Sequence, residues 1–112
     1  MSISFEQVGH MSITLPAGSC KLGQVCKLDT AGKAAACSDD DAFCGVVESI
    51  REGCAGVQIH GFAEIPYSGT APTPGYVLLS ADDAGGVKAD TDGTRYLCVQ
   101  ADTTKKTVTI EL

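Results

Sequence analysis

The chain contains no tryptophan and only three phenylalanines and three tyrosines among its 112 residues. With 44% hydrophobic residues, its core must therefore be built mostly from Val, Ile, Leu, Ala and Cys. Sugar-binding sites usually stack their ligand on exposed aromatic rings. The three tyrosines, Tyr67, Tyr76 and Tyr96, are scattered along the sequence, so the composition disfavours a site of that kind.

The sequence also lacks a basic cluster. Its formal net charge is −6, and the only adjacent basic pair is Lys105-Lys106. Polyanion binding depends on grouped Lys and Arg side chains that displace counterions, and attraction to anionic lipid surfaces has the same requirement. We therefore expect neither nucleic acid nor membrane among the partners.

No long apolar run is present. The first residues, "MSISFEQVGHMSITLPAG", have no basic start and alternate apolar with polar residues, whereas a secretory signal needs a continuous apolar segment. No stretch approaches the roughly 18 apolar residues of a membrane-spanning helix. These features predict synthesis and folding in the cytosol, where thiols stay reduced.

The six cysteines form no C-x-x-C pair, so the close spacing typical of a structural zinc site is missing. An even count leaves disulfides open, with 15 connectivities that the sequence alone does not separate. Without a secretory signal, the prediction is six free thiols, mostly buried as small hydrophobic side chains. We expect no metal and no cofactor.

Catalytic signatures are also missing. His10 and His60 are the only histidines, and no G-x-S-x-G, H-E-x-x-H, G-x-G-x-x-G or P-loop motif occurs. His60 belongs to a predicted strand, which favours an exposed or interface histidine over a catalytic base. The prediction is that the protein is not an enzyme. The alternative is a nucleophilic Cys44 or Cys54 that uses His60 as its base.

The stretch "CSDDDAFCGVV" places two thiols around three consecutive aspartates, Asp39–Asp41. Consecutive carboxylates do not converge on one calcium ion without special geometry, and an EF-hand starting at Asp39 would need Gly where Cys44 stands. We therefore predict an acidic surface loop whose flanking thiols, Cys37 and Cys44, pack inward. The charges would also oppose edge-to-edge association of a β protein.

Alternation with a period of two dominates the chain. In "MSITL", one face carries Met11, Ile13 and Leu15. The segment "AGVQIHGFAEIPY" continues the pattern over a longer span, residues 55–67. Its apolar face carries Ala55, Val57, Ile59, Ala63, Ile65 and Tyr67, and its opposite face carries Gln58, His60, Phe62 and Glu64.

Turn signals separate these segments. "LDTAGKA", "ADDAGGVKA" and "QADTTKKTV" predict hairpins, and the final "TVTIEL" predicts a strand with Val108, Ile110 and Leu112 inward. The proline-rich "PYSGTAPTPGY" predicts a surface connection outside any sheet. The pattern indicates an all-β, mainly antiparallel fold: a small single-domain β-barrel or β-sandwich with at most one short helix. The domain spans residues 1–112, with residues 1–9 as an N-terminal arm or edge strand.

One segment, "DAFCGVVESIREG", fits two structures. Apolar residues at helical spacing, preceded by aspartates and followed by Gly53, are compatible with a short helix. Gly45 and the β-branched pair Val46-Val47 favour a strand instead. We predict a strand through Phe43–Ile50 and keep the helix over residues 41–52 as the alternative.

The sequence as a whole resembles phage head-decoration proteins of the lambda type and a related uncharacterised prophage structural family. The resemblance lies in "KLGQVCKLDTAGKAAACSDDDAFCGVVESIREGCAGVQIHGFAEIPY", followed by "GYVLLSADDAGGVK" and "YLCVQADTTKKTVTIEL". It implies a compact β-rich domain that binds the outside of an assembled capsid as an oligomer, commonly a trimer, and reinforces it. It places the protein in the bacterial cytoplasm during assembly and then on the virion capsid. The lambda-like members also have a flexible arm, whereas this N-terminus is short and strand-like.

This interpretation implies two partners: other copies of the chain and the phage major capsid protein. The candidate interface residues are Ile3, Phe5 and Val8 near the N-terminus, and His60 and Phe62 on the less apolar face of their predicted strand. For Phe62, the alternative is that it covers a second layer of the same domain. The alternative function is a small-ligand or carbohydrate-binding β module of a phage tail or fibre.

Overall fold

The computed structural model describes residues 9–112, and this part of the chain forms ten strands and no helix. The strands are β1 (Met11–Pro16), β2 (Val25–Leu28), β3 (Ala34–Ala36), β4 (Gly45–Arg51), β5 (Cys54–His60), β6 (Phe62–Ser68), β7 (Gly75–Ala81), β8 (Val87–Ala89), β9 (Thr94–Asp102) and β10 (Thr107–Glu111). The predicted all-β class is confirmed. Over the described residues, no helix has the length and apolarity needed to cross a bilayer.

The strands form two sheets. The first half of the chain makes a five-stranded antiparallel sheet in the order β1-β5-β4-β2-β3, and the second half makes a closed barrel in the order β10-β6-β8-β7-β9. All barrel neighbours are antiparallel except β6 and β8. Closing the barrel removes the exposed edges that an open sheet would have.

The five-stranded sheet is curled. Its outer strands, β1 and β3, stand at opposite ends of the strand order, yet a parallel bridge joins Ala17, just after β1, to Ala34 in β3. The amide of Gly18 donates to the carbonyl of Ala34 over 2.9 Å. The two edges therefore approach each other at this end, and the concave face is filled by small side chains.

Two hydrophobic clusters follow from this arrangement. The barrel cluster contains Ala63, Ile65, Tyr67, Leu79, Ala81, Val87, Cys98, Val108 and Ile110, together with Val25, Phe43 and Val46 from the sheet half. The smaller cluster, on the concave face of the sheet, contains Cys20, Cys26, Ala34, Val47, Ala55 and Val57. Because three residues of the sheet half pack into the barrel cluster, the two halves share a core.

The ambiguous segment after Asp41 is a strand. β4 starts at Gly45 and pairs with β2 and β5, so the predicted strand is confirmed within two residues. A Cβ at Gly45 would lie 2.2 Å from the carbonyl oxygen of Gln58, which shows how closely β4 and β5 approach. Beyond Gly45, Val46 packs into the barrel cluster and Val47 into the concave-face cluster, as strand alternation requires.

The predicted single run over residues 55–67 is wrong, because the chain breaks at Gly61. Gly61 has a φ of +96°, which favours glycine, and a Cβ there would lie 2.9 Å from the Cα of His10. β5 therefore ends in the sheet and β6 begins in the barrel. His60 and Phe62 consequently belong to different sheets and do not share the face of one strand.

The three predicted hairpins are confirmed as the β2–β3, β7–β8 and β9–β10 connections. The expectation that all of "PYSGTAPTPGY" lies outside the sheets is wrong at both ends, because Gly75 and Tyr76 belong to β7 and Pro66 pairs with Thr107 inside β6. The amide of Tyr67 donates to the carbonyl of Lys106, so the nitrogen of Pro66 faces the other flank. On that flank, pairing with β8 begins only at Tyr67, and the missing donor is tolerated.

Candidate functional site

The acidic loop, which contains Asp39–Asp41, is a tether between the five-stranded sheet and the barrel. The Asp41 carboxylate lies 2.6 Å from the Lys27 ammonium of β2. The Lys88 ammonium of β8 lies 2.7 Å from the Asp39 carboxylate and 2.6 Å from that of Asp40. All three aspartates of the predicted solvated loop therefore have a lysine partner.

The backbone strengthens this tether. The amide of Asp40 donates to the carbonyl of Ala81 over 3.0 Å, and the amide of Ala81 donates to the carbonyl of Asp41 over 2.9 Å. The hydrogen bond from Lys27 holds the pKa of Asp41 below its usual value and raises the pKa of Lys27. Among residues 9–112, no group of three His, Cys, Asp or Glu side chains is arranged to hold a metal ion.

All six cysteines are free thiols. Cys20, Cys26 and Cys98 are buried, as predicted for small hydrophobic side chains, and Cys37 is half-buried. The expectation that Cys44 packs inward is wrong, because Cys44 is exposed, as is Cys54. Cys44 precedes the first residue of β4, where the chain passes from the acidic loop into the sheet, and this position leaves its side chain at the surface.

His10 has two polar partners that the sequence does not suggest. Its Nε2 lies 2.6 Å from Glu48 Oε1 and 3.1 Å from Ser12 Oγ, and Ser12 Oγ donates to Glu48 Oε2 over 2.5 Å. A Ser-His-acid triad needs the serine on one ring nitrogen and the acid on the other. Here one nitrogen faces both groups and the serine hydroxyl donates to the carboxylate, so the geometry is that of a polar link from β1 to β4.

The alternative of a cysteine nucleophile with a histidine base finds no support in these contacts. In the described part of the chain, no hydrogen bond or ion pair joins either histidine to a thiol. His60 is exposed, as predicted for a surface or interface histidine.

The concave face of the sheet carries large apolar side chains that remain exposed. In register, Ile13 lies opposite Val57, and Ile50 lies opposite Ala55, so both share a face with the small buried cluster. The exposed apolar side chains that the register assigns to this face are Ile13, Leu28 and Ile50, whereas Met11 is the register partner of His60 on the opposite face. The sequence pattern predicted the face correctly for Ile13 and Leu15 but was wrong for Met11, because a bulge between Met11 and Ser12 places Met11 opposite His60. Alternation also carries no information about what covers that face.

Strand β1 combines this exposure with a free edge. Over residues 9–112, the strand pairs only with β5, so its outer hydrogen-bonding groups face away from the sheet. Its sequence, MSITLP, carries no charge, and Met11 and Ile13 are 52% and 37% exposed. Charges, bulges and prolines protect such edges from pairing with another chain, so in β1 the stretch open to pairing lies between the bulge at Met11–Ser12 and Pro16.

Of the predicted interface residues, His60 lies beside this edge and Phe62 lies in the barrel. His60 is the register partner of Met11, so the structure brings it next to the exposed end of β1. Phe62 is half-buried in β6 of the barrel, opposite Glu111 of β10. Ile3, Phe5 and Val8 lie outside the described residues. Their role as interface residues stays a prediction.

A second surface feature lies on the barrel. Residues 70–73 and β7 enclose an apolar groove of about 470 Å³ whose lining includes Tyr76, Leu78 and Asp90. Tyr76 is exposed, and the guanidinium of Arg95 lies 4.1 Å from the centre of its ring. This cation–π contact occupies one face of the ring, which leaves the other face for any stacking partner.

Comparison of this chain with protein-family models, with curated proteins and with solved structures finds no match.

Proposed function

We propose that this chain is a non-enzymatic structural protein of a phage or prophage that decorates the capsid. It forms a homo-oligomer, with a trimer as the expected state, and binds the assembled shell through the major capsid protein, which it reinforces. It assembles in the bacterial cytoplasm and then resides on the capsid surface of the virion. The proposal needs no cofactor.

The free edge of β1 is the observation that carries the proposal. Over residues 9–112, the outer edge of β1 pairs with no other strand, and such an edge presents a row of amides and carbonyls that a strand from another chain can complete. Met11 and Ile13 add exposed apolar area beside this row, and burying such area against a second surface is favourable. The resemblance of the sequence pattern to head-decoration proteins supports the same role, since those proteins act as oligomers.

The first experiment measures the oligomeric state by light scattering coupled to size-exclusion chromatography. We expect a mass corresponding to a trimer of the 11.5 kDa chain. Ile13→Lys places a charge at the β1 edge and should shift the population to monomer. The matched control is Leu78→Lys on the barrel, because Leu78 is similarly exposed, at 42% against 37% for Ile13, and should leave the oligomer intact.

The second experiment measures binding to shells. The probe is the assembled capsid of the phage or prophage whose genome encodes this chain, with unassembled major capsid subunits as the control. We expect the protein to co-sediment with shells but not with subunits. A protein that is monomeric at high concentration and fails to co-sediment would exclude the proposed function.

The second candidate function is that of a small-ligand or carbohydrate-binding module of a phage tail or fibre. The observation that favours it is the apolar groove beside exposed Tyr76, because a free aromatic face can stack on a sugar ring. A glycan array separates the two functions. Hits that disappear in Tyr76→Ala would support the binding module, whereas an array without hits, together with co-sedimentation on shells, would support capsid decoration.

A further inference from the structure

A polar hollow lies on the outer face of the five-stranded sheet, at the end where β4 turns into β5. Ala55 and Val57 of β5 point into the concave-face cluster, so Cys54 and Gly56 of the same strand face the opposite side. The hollow is therefore separate from both hydrophobic clusters and from the apolar groove on the barrel. Its volume is about 510 Å³, and its lining residues are Thr14, Ser49, Arg51, Glu52, Cys54 and Gly56.

Glycine at position 56 creates the depth of the hollow. Thr14 of β1 and Ser49 of β4 are both register partners of Gly56, which lies between them in β5. A Cβ at Gly56 would lie 2.5 Å from Ser49 Oγ, so the Ser49 hydroxyl stands beside the space that a side chain would take. Two hydroxyl-bearing residues therefore flank a floor that consists of backbone.

A tight turn places Arg51 beside this floor. Arg51 is the register partner of Cys54, and only Glu52 and Gly53 connect the two strands. Both loop residues have a positive φ, +52° and +78°, as in the type I′ turns that join neighbouring strands most closely. Because the strands are paired and the turn is tight, the backbone that carries Arg51 is already in place before a ligand binds, which lowers the entropy cost of binding.

The polar groups of the hollow have no partner within the protein. Over residues 9–112, no hydrogen bond or ion pair engages the Arg51 guanidinium or the Thr14 and Ser49 hydroxyls. By contrast, Lys27 and Lys88 form ion pairs with the acidic loop. The fork of N–H donors on Arg51 is therefore available to a ligand.

We propose that this hollow is a binding site for a phosphate group, either the free anion or the monoester of a small molecule. The Arg51 guanidinium donates to two phosphate oxygens, and the hydroxyls of Thr14 and Ser49 donate to the others. These donors belong to the two strands that flank β5, so they reach the ligand from different sides. A tetrahedral anion presents oxygens in several directions, whereas a carboxylate presents two in one plane. The arrangement therefore favours phosphate over carboxylate.

Glu52 gives the proposal a second sign to test. Its carboxylate lines the same hollow and repels an anion bound there. Glu52→Gln keeps the size of the side chain and removes this repulsion, so it should raise the affinity for phosphate by about threefold, the effect of one exposed charge pair.

The experiment titrates the folded, full-length protein with inorganic phosphate at constant ionic strength and follows the amide signals by NMR spectroscopy. We expect saturable shifts of the amides that line the hollow. Arg51→Met should weaken binding by about tenfold, since hydrogen bonds to charged groups contribute at least that much. The matched control is Lys33→Met, which removes the same charge from the β2–β3 turn and should change the affinity by less than about twofold.

Two further arms test the shape of the hollow and the form of the ligand. Gly56→Ala changes no charge, but its methyl group meets Ser49 Oγ, so it should also weaken phosphate binding. Acetate should bind more weakly than phosphate, and the tighter binder of inorganic phosphate and glycerol phosphate identifies the ligand as free anion or monoester. Shifts that do not saturate, an affinity for acetate equal to that for phosphate, or a loss in Arg51→Met no larger than in Lys33→Met would overturn the proposal.

Discussion

Phe43 connects the two halves of the molecule, and its truncation is the most direct test of the shared core. Phe43 is 7% exposed and packs into the barrel cluster, although it precedes the first residue of β4 in the sheet half. Its ring stacks on Tyr96 of β9, with centroids 5.1 Å apart and planes at 12°. Replacing Phe43 with alanine removes this contact and leaves a cavity where the sheet half enters the barrel.

The expected cost of Phe43→Ala is about 3–5 kcal/mol in the free energy of unfolding, the range for truncating a buried phenylalanine. The stacked pair accounts for about 0.5–1.5 kcal/mol of this. Phe43→Leu preserves most of the volume and should therefore lose only about 1–2 kcal/mol. The control is Leu22→Ala, because Leu22 is an exposed apolar residue whose truncation should change stability by less than about 0.5 kcal/mol.

Equilibrium urea unfolding measures these values, with two probes that report on different parts of the chain. All three tyrosines lie in barrel strands, Tyr67 in β6, Tyr76 in β7 and Tyr96 in β9. Tyrosine fluorescence therefore reports on the barrel, whereas far-UV circular dichroism reports on both halves. Because the halves share a core, we expect the two transitions to coincide. A Phe43→Ala effect as small as that of Leu22→Ala, or two separate transitions, would refute the reasoning.

Two further predictions concern the close approach of β4 to β5 and the acidic tether. Gly45→Ala should lower the free energy of unfolding by about 1–3 kcal/mol, since the new methyl would meet the backbone carbonyl of Gln58. The control is Gly56→Ala, whose methyl meets only the movable Ser49 hydroxyl. It should lower the free energy of unfolding by less in the same urea assay. The pKa of Asp41 is lower in the folded protein than its unfolded value of 3.8. The ionised Asp41 therefore stabilises the fold at pH values above 3.8, and this stability is lost as the pH falls through the folded pKa. The urea midpoint should therefore decrease as the pH falls below about 4, and less steeply in Asp41→Asn. Equal slopes in both proteins would contradict the role of the tether.

The local conformation of most strands could be predicted from the sequence because the side-chain period is a property of the backbone itself. Alternation identified β1 and the C-terminal strand, and Asp and Gly pairs located the hairpins. The β-branched pair Val46-Val47 decided correctly between strand and helix after the acidic loop. Each of these features depends on steric preferences within a few residues, so one sequence is sufficient to predict it.

The partition of the strands between sheet and barrel is a property of the tertiary structure. The alternating run over residues 55–67 gives no sign that Gly61 separates two sheets, because the break arises from the close approach of the backbone at His10. In the same way, the sequence predicts three solvated aspartates in the acidic loop. Lys88 lies 47 residues beyond Asp41 in the sequence, and only the fold brings it within ion-pair distance of Asp39 and Asp40. Contacts over such separations depend on how the elements pack.

The candidate surfaces also depend partly on the sequence and partly on the tertiary structure. Alternation indicated a β protein, the missing basic cluster disfavoured nucleic acid as a partner, and the alternation of "MSITL" predicted one shared face for Met11 and Ile13. The exposure of these side chains and the burial of Cys26 depend on which elements pack against them, and the free edge of β1 over residues 9–112 depends on the strand order. The sequence by itself therefore determined that most of these segments are strands and, within an unbroken strand, which side chains alternate, because both follow from local backbone geometry. Tertiary structure alone decided which faces are covered, since burial depends on residues distant in the chain.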